Sequence, residues 1–216
     1  MASPRVHPLG DGALTLTLGD AVSAETNARV HAAAAAIRRA GHAAIRDVVP
    51  AYAAVSVFYD PLHTSYDDIA ARLLAAVKSA DSVAVPVERR TVEIAVRYDG
   101  PDLAEVARAT GLGDAEVVAR HAAAEYRVYL LGFVPGFAYL GELDPALRLP
   151  RRSSPRTRVP AGSVAIAGAQ TAVYPLATPG GWHLIGRTEE RMWDVRRDPP
   201  ALLAVGDRVR FVPVDG

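Results

Sequence analysis

The chain has 216 residues, half of them hydrophobic, and its 24 basic residues balance 24 acidic ones. This length allows one large domain or two small ones, and the neutral charge argues against nucleic acid or a membrane surface as the partner. The lack of cysteine excludes disulfides, thiolate catalysis and cysteine-ligated metals, and without a long apolar run or a secretion pattern we expect a cytoplasmic protein.

The first 85 residues alternate between strand and helix signals. The predicted elements are a strand at Ala13–Leu18, a helix from Ser23 to about Ala40, strands at Ile45–Val49 and Ala54–Tyr59, a helix from Ser65, and a strand near Val83–Val87. The second helix carries Ile69, Leu73, Leu74 and Val77 on one apolar stripe. The order strand, helix, strand, strand, helix, strand predicts a small, ferredoxin-like N-terminal α/β domain over residues 1–88.

The charged run Glu88-Arg89-Arg90 predicts a linker to a second domain at residues 89–216. That domain opens with a strand at Thr91–Tyr98. Further predicted elements are helices at Asp102–Thr110 and about Asp114–Ala124, and strands in the segments YRVYLLGF, SVAIAG, TAVYPL, WHLIGR and DRVRFVPV. Many short strands between glycine and proline loops are typical of a barrel or sandwich, so the whole chain is assigned to the α+β class.

The helical pair imitates a helix-turn-helix, the motif that places its second helix in a DNA groove. That helix would open with Asp114 and Glu116, which phosphates repel, so we interpret the pair as a plain helical hairpin.

The common catalytic and nucleotide motifs are missing from the sequence. No P-loop and no GxGxxG turn is present, and Ser163 lacks the spacing of a nucleophile elbow. The six histidines form no metal-binding pattern, so no metal site is predicted. His121 is interpreted as a residue that stacks on Tyr126, whereas His183, beside Trp182 in a glycine loop, is the better candidate for a functional histidine.

Rigid loops are concentrated between Gly132 and Gly186, where fifteen glycines and prolines lie with five arginines and two acidic residues. Glycine and proline build shaped loops, and such loops often carry binding sites. We expect the glycines, including Gly181, to set the backbone, several at positive φ. The loop-shaping candidates are Gly132, Pro135, Gly136, Gly162, Ser163, Gly180 and Gly181.

Five arginines fall within eleven residues of this region: Arg148, Arg151, Arg152, Arg156 and Arg158. Without an acid among them they repel one another unless an anion is near, either a substrate group or a partner's acidic patch. Side chains alternate along an extended segment, so we expect Arg151 and Arg156 to bind the anion and Arg152 and Arg158 to face solvent.

The segments GFVPGFAYLG, LPRRSSPRTRVPAGSVAIAGAQTAVYP and TPGGWHLIGR, together with the closing GDRVRFVPV, resemble the family of 5-oxoprolinase B subunits. This family is also known as allophanate hydrolase subunit 1 and includes an inhibitor of a sporulation histidine kinase. The resemblance covers essentially the chain from Val6 onward. Ala138 and Glu142 depart from the family's GFxPGFPYLGG pattern.

The resemblance implies a cyclophilin-like β-barrel after the N-terminal domain. It also implies a role in an ATP-dependent complex that opens 5-oxoproline to glutamate, with ATP used by the complex rather than by a P-loop in this chain. The implied partners are a larger sister protein of the 5-oxoprolinase C-subunit type and a lactam-utilisation-type subunit. We expect the chain to be inactive without these partners.

Within such a complex, the arginines would hold a substrate carboxylate or a phosphorylated intermediate. Neutral hydrogen bonds to the amide would come from Gln170, Thr171 and Tyr174, beside Trp182 and His183. No residue is assigned as catalytic, because no acid/base or nucleophilic pair is evident, so we predict a half-site completed by a partner. Two alternatives stay open: an inhibitor that binds a sensor histidine kinase, and an accessory subunit of the allophanate hydrolase or urea carboxylase type.

Overall fold

A computed structural model describes residues 4–20, 23–80 and 90–215, with only the backbone of residues 79 and 80. The chain divides into two compact units, Met1–Val87 and Glu88–Gly216. The strand predicted near Val83–Val87 and most of the predicted linker lie outside the described residues, so both stay predictions, as does the domain boundary.

The described part of the first unit is a four-stranded antiparallel sheet with two helices. Its elements are β1 (Arg5–Pro8), β2 (Ala13–Thr17), α1 (Ala24–Ala40), β3 (Ile45–Pro50), β4 (Ala54–Tyr59) and α2 (Tyr66–Ala80). The strand order is β1-β2-β4-β3. Both helices and the inward side chains of β2 and β4 share one apolar core.

Both helices begin where the sequence predicts. The Ser23 hydroxyl accepts a hydrogen bond from the Thr26 amide at 3.1 Å, and the Ser65 hydroxyl accepts one from the Asp68 amide at 3.1 Å. These bonds satisfy amides that a helix start leaves without a partner. The predicted stripe of α2 is wrong at Leu74, which is 37% exposed while the other three members are buried.

The ferredoxin-like prediction is only partly matched by what the structure describes. In that arrangement a strand after the second helix would pair beside β2. Here β1, which the sequence analysis missed, pairs with β2 in that place, with Val6 opposite Leu16. β1 has only four residues and most of them are exposed, so its sequence lacks the alternation of apolar and polar residues that indicates a strand.

The described part of the second unit is built on a nearly closed, barrel-like sheet. Its elements are β5 (Thr91–Val96), α3 (Leu103–Thr110), α4 (Asp114–Ala123), β6 (Glu125–Leu131), β7 (Ala138–Gly141), a 3₁₀ turn (Pro145–Leu147), β8 (Arg156–Val159), β9 (Ser163–Ala167), β10 (Gln170–Val173), β11 (Thr178–Gly180), β12 (His183–Arg187) and β13 (Arg208–Pro213). The seven-stranded order is β12-β9-β10-β7-β6-β13-β5, and β8 with β11 forms a separate ribbon.

The two ends of the seven-stranded order meet at a seam. Arg97, just after β5, and Arg187 of β12 exchange two main-chain hydrogen bonds of 2.9 and 2.8 Å. The Gly100 and Asp102 amides donate to the Ile185 and Leu184 carbonyls at 3.2 and 3.0 Å. This seam nearly closes the barrel and leads directly into α3.

The predicted helical hairpin is present, and it contributes to the barrel core. Val106, Ala107 and Val117 are buried among the inward side chains of the barrel strands. The two helices therefore pack with their apolar residues against the barrel. The hairpin interpretation is confirmed for α3 and α4.

His121, at the end of α4, is completely buried and belongs to the barrel interior. Its ring lies 5.3 Å from that of Tyr126, as predicted, and stacks on Phe211 at 4.7 Å. The Thr171 hydroxyl donates to the Ala165 carbonyl, so His121 Nε2 donates to Thr171 Oγ1 at 2.8 Å and Nδ1 accepts from the Tyr98 hydroxyl at 2.7 Å. His121 is therefore a structural residue that carries its proton on Nε2.

We expect the second unit to lose stability as the pH falls below about 6.5, because burial lowers the pKa of His121 to about 3. The unfolded chain takes up a proton in this window and the folded chain does not, so stability falls by about 1.4 kcal/mol per pH unit. Urea unfolding at pH 7 and pH 4.5, followed by tryptophan fluorescence, measures this slope.

His121→Gln is the comparison variant, since it removes the titrating ring and is expected to be less stable at pH 7 but less sensitive to pH. Equal pH slopes in the two proteins between pH 7 and 4.5 would contradict the assignment.

Candidate functional site

The segment with the five arginines, residues 148–158, is called the arginine loop here, and it is organised by one buried carboxylate that the sequence did not reveal. Asp102, at the start of α3, is 2% exposed. Arg156 binds it with both guanidinium nitrogens at 2.9 and 2.6 Å, Arg152 donates at 3.0 Å and the Leu184 amide at 2.7 Å. Asp102 thereby ties α3, the arginine loop and β12 together.

Burial alone would raise the pKa of Asp102. The hydrogen bonds from Arg156 and Leu184, with the charges of Arg156 and Arg152, outweigh burial and hold this pKa below its usual value. The carboxylate is thus ionised, and its oxygens accept hydrogen bonds from groups within the fold.

The predicted division of the arginines is therefore wrong for two of them. Arg156 is paired with Asp102 instead of being available to a ligand, and Arg152 is bound to the same carboxylate and to Glu105 instead of facing solvent. Arg156 lies in β8 but Arg152 lies in the loop before it, so strict strand alternation does not apply between them.

Three arginines of the loop are exposed. Arg148 donates from Nε to the Leu143 carbonyl at 3.1 Å, so Arg151 and Arg158 are the two that remain available. Among the described residues neither guanidinium has an acidic or carbonyl partner. The charge of Arg151 opposes the rise that burial causes in the pKa of Tyr139 and of Tyr174. The main chain on either side of Arg151 is bonded to Gly181 and His183, which flank Trp182 of an aromatic cluster, so Arg151 is an exposed cation beside that cluster.

The aromatic cluster lies on the outer face of β9, β10 and β12, against alanines of β9 and β10 and Leu184 of β12. Phe137 is at its centre, with ring-centroid distances of 5.4 Å to Phe133, 4.8 Å to Tyr139, 5.3 Å to Tyr174 and 5.8 Å to Trp182. The ring pairs are edge-on, which is the favourable geometry for aromatic pairs.

Only part of this cluster is open to a ligand. Phe137, Tyr174 and Trp182 are nearly fully buried, whereas Phe133 is 60% exposed and Tyr139 half-buried. We define the aromatic–arginine site as Phe133, Tyr139 and Arg151, with the buried rings as its floor. It presents the exposed ring of Phe133, the half-buried ring of Tyr139 and the exposed guanidinium of Arg151.

The loop that presents Phe133 is shaped by its glycines, as the sequence predicts. Gly136 has φ = 79°, and a Cβ there would lie 2.9 Å from Trp193 Cβ. Phe133 itself has φ = 72°, a strained conformation for an aromatic residue. Gly132 and Pro135 lie in the same turn, which is closed by the hydrogen bond from the Gly132 amide to the Phe137 carbonyl at 3.1 Å.

The remaining loop-shaping candidates differ from one another. Gly162 has the predicted positive φ, at 80°, and Ser163 is buried at the start of β9. Gly180 has no positive φ but is required sterically, because a Cβ would meet the Tyr174 hydroxyl and lie 2.9 Å from Cζ. For Gly181 the expectation is wrong: its φ is not positive and the nearest atom to a Cβ is 3.6 Å away.

Two predicted ligand residues are occupied inside the fold. Thr171 lies in the barrel interior, bonded to His121 and Ala165, and cannot reach the outer face. Tyr174 is 2% exposed, and its hydroxyl packs against the backbone of Gly180. Gln170 is half-buried, and its role stays a prediction.

His183 is also buried, at 7% exposure, and its Nε2 donates to the Pro150 carbonyl at 2.9 Å. It contacts the arginine loop rather than the surface. Over residues 4–20, 23–80 and 90–215, no group of three or more histidine and acidic side chains is arranged to hold a metal ion.

Sequence reasoning missed Asp102, Phe133, Phe137 and Tyr139. The last two flank Ala138 in a short aromatic run, and aromatic residues are enriched in strands. Asp102 had no such signal, because a lone acid before a helix is usually only a cap.

Within residues 4–20, 23–80 and 90–215, no helix is long and apolar enough to cross a membrane.

Comparison with known proteins first identifies the class of protein to which the chain is similar. Residues 4–203 match the family described as carboxyltransferase domain, subdomain C and D. The urea amidolyase of Kluyveromyces lactis has the same fold, with a TM-score of 0.82 at 20% identity over 98% of this chain and 15% of that one.

The particular family follows from closer relatives. The chain is 40% identical to the 5-oxoprolinase B subunit of Bacillus subtilis (strain 168) over 97% of its own length and 92% of the relative, and 56% identical to that of Escherichia coli O157:H7 over 62% of each. It belongs to the family of 5-oxoprolinase B subunits.

Two solved structures share both fold and sequence with this chain. The conserved uncharacterized protein PH0987 from Pyrococcus horikoshii is 42% identical over 98% of both chains, with a TM-score of 0.57. The protein TTHA0988 is 48% identical with a TM-score of 0.80. The match covers 94% of this chain but 40% of the longer TTHA0988 chain.

Proposed function

We propose that this chain is the B subunit of an ATP-dependent 5-oxoprolinase, an amide hydrolase of the cytoplasm that opens 5-oxoproline to glutamate. The observation that carries the proposal is the 40% identity to a 5-oxoprolinase B subunit over nearly the whole of both chains. The name of that relative implies a complex. We propose a larger protein of the C-subunit type and a lactam-utilisation-type protein as the partners.

The aromatic–arginine site supports a role in binding the substrate. 5-Oxoproline is a small, flat lactam ring that bears one carboxylate. The Arg151 guanidinium is an exposed donor for that carboxylate, and Phe133 and Tyr139 offer apolar faces for the ring methylenes. Rigid positioning of such groups lowers the entropic cost of binding.

The chemistry is proposed to need the partner subunits. An unstrained lactam is hard to open at neutral pH, and phosphoryl activation by ATP is a suitable route, but the sequence has no P-loop to fit that nucleotide. We therefore assign ATP to the complex and give this chain the binding and orientation of the substrate.

We also propose that the first unit is ferredoxin-like, that the barrel of the second unit is cyclophilin-like, and that the boundary between the two domains lies at residue 88.

We expect Arg151→Ala to reduce 5-oxoproline-dependent ATP hydrolysis by the reconstituted complex, raising the KM for 5-oxoproline about tenfold to a hundredfold, as for the loss of a charge-assisted hydrogen bond. Arg158→Ala is the matched control, since Arg158 is an exposed arginine of the same segment. It is expected to retain the parental KM.

The isolated chain is expected to show no 5-oxoproline-dependent ATP hydrolysis. Robust turnover by the chain alone would contradict the half-site. A reconstituted complex that hydrolyses ATP with allophanate or urea, and not with 5-oxoproline, would instead favour the accessory-subunit alternative.

A further inference from the structure

The backbone on both sides of Arg151 is attached to one short segment, Gly181–His183. On the N-terminal side, the His183 imidazole donates from Nε2 to the Pro150 carbonyl at 2.9 Å. On the C-terminal side, the Arg152 amide donates to the Gly181 carbonyl at 2.8 Å. Arg151 is therefore held between two hydrogen bonds, although its own side chain is exposed.

The segment that holds Arg151 is itself part of the floor of the site. Trp182, between the two anchoring residues, packs edge-on against Phe137 and Tyr139 at centroid distances of 5.8 and 6.1 Å. A shift of Gly181–His183 would move the aromatic floor and Arg151 together. The guanidinium and the rings are thus kept in a fixed relation.

The His183 contact is the side-chain part of this attachment. Among the described residues His183 Nδ1 has no hydrogen-bond partner, so Nε2 makes the ring's one hydrogen bond. His183 is 93% buried, since its exposure is 7%, and cannot be a direct ligand of a molecule on the surface. Its bond to Pro150 fixes the residue that precedes Arg151.

The rest of the loop is anchored independently. The Arg152 side chain is bound to Asp102 and Glu105, and Pro150 has a restricted φ. With the main chain fixed on both sides, binding of an anion has to order only the Arg151 side chain. Preorganisation of this kind raises affinity without adding a contact.

We propose that His183 is a positioning residue for Arg151: its hydrogen bond to the Pro150 carbonyl holds the loop in the place where the Arg151 guanidinium meets a substrate carboxylate. This inference rests on the proposed function for its ligand. It reassigns His183 from the substrate-binding role that its sequence suggests to one exerted through Arg151.

The test uses two variants of nearly equal side-chain size. His183→Gln retains an N–H donor that can reach Pro150, and His183→Met has none. In the complex, His183→Met is expected to raise the KM for 5-oxoproline about threefold to tenfold, the effect of one neutral hydrogen bond, with kcat nearly unchanged. His183→Gln is expected to stay within about twofold of the parent.

A double-mutant cycle tests whether His183 acts through Arg151. In the Arg151→Ala background, His183→Met is expected to have no further effect on the KM. An undiminished effect in that background would overturn the proposal.

Amide hydrogen exchange of Arg152 in the full chain supplies a readout that needs no substrate. We expect faster exchange in His183→Met than in the parent or His183→Gln. Unchanged protection would overturn the positioning role whatever the complex does. Faster exchange without any effect of Arg151→Ala on the KM would leave the loop attachment standing and reject the proposed substrate site.

Discussion

Replacing Asp102 by asparagine is expected to lower the free energy of unfolding of the second unit by about 3–5 kcal/mol, because it removes one partner of a buried ion pair. Two guanidiniums and the Leu184 amide converge on this carboxylate. An amide accepts fewer bonds and presents an N–H to the cations. The variant should therefore loosen the arginine loop as well as α3.

Urea unfolding can isolate this effect, because both tryptophans, Trp182 and Trp193, belong to the second unit. The matched control is Glu105→Gln, which removes the half-exposed second partner of Arg152 and is expected to cost about 1 kcal/mol or less. Equal losses in the two variants would show that the Asp102 cluster does not hold the fold together.

The Asp102 cluster also predicts an acid limb, in which the free energy of unfolding of the second unit falls at low pH. The pKa of Asp102 is lower in the folded chain than the usual 3.8, so its contribution is complete above that value and is lost as the pH falls through the lower folded pKa. Asp102→Asn should have a shallower acid limb than the parent, because Asp144 and Asp194, whose pKa values are also lowered, remain in the second unit. The fall in stability between pH 7 and 4.5 measures His121. Between pH 4 and 2.5 both residues titrate, so the difference between the parent and Asp102→Asn in that range measures Asp102.

The second large effect is expected for Gly100→Ala at the barrel seam. A Cβ at Gly100 would overlap the main-chain atoms of Leu184 and Ile185 and lie 2.5 Å from the Gly186 nitrogen. Backbone atoms of a paired strand cannot move aside as a flexible side chain can, so we expect a loss of about 3 kcal/mol or more.

Gly181→Ala is the control for that variant. The added methyl carbon would lie 3.6 Å from the nearest atoms, an ordinary contact distance, so stability should change little. The measurement is the urea midpoint of each variant by tryptophan fluorescence, with loss of the hydrogen-exchange protection of the Gly100 and Asp102 amides as a local readout. A Gly100→Ala protein as stable as the Gly181→Ala protein would show that the strands do not meet as closely as the structure has them.

Local sequence signals were sufficient for the longer elements. Ser23 and Ser65 start helices because their side chains bond to the first amides of the helix, which depends on neighbours along the chain alone. The alternation in Ala13–Leu18 and in the segment DRVRFVPV gives strands for the same reason. The resemblance of the glycine-rich segments also led to the correct family.

β9 lies within the predicted segment SVAIAG, although it is buried at every position, since one face points into the barrel and the other lies under the aromatic cluster. Four shorter strands were not predicted from local signals. β1, β7, β8 and β11 have three or four residues each and are held by pairing with partners elsewhere in the chain.

The electrostatics were decided by the tertiary structure. The sequence by itself determined that five arginines share one stiff segment without a local acid. It did not determine which of them are neutralised, because Asp102 lies 50 residues from Arg152 and 54 from Arg156 along the chain. Charge pairing depends on distance in space, and only closure of the barrel brings that carboxylate beneath the loop and leaves Arg151 free at its surface.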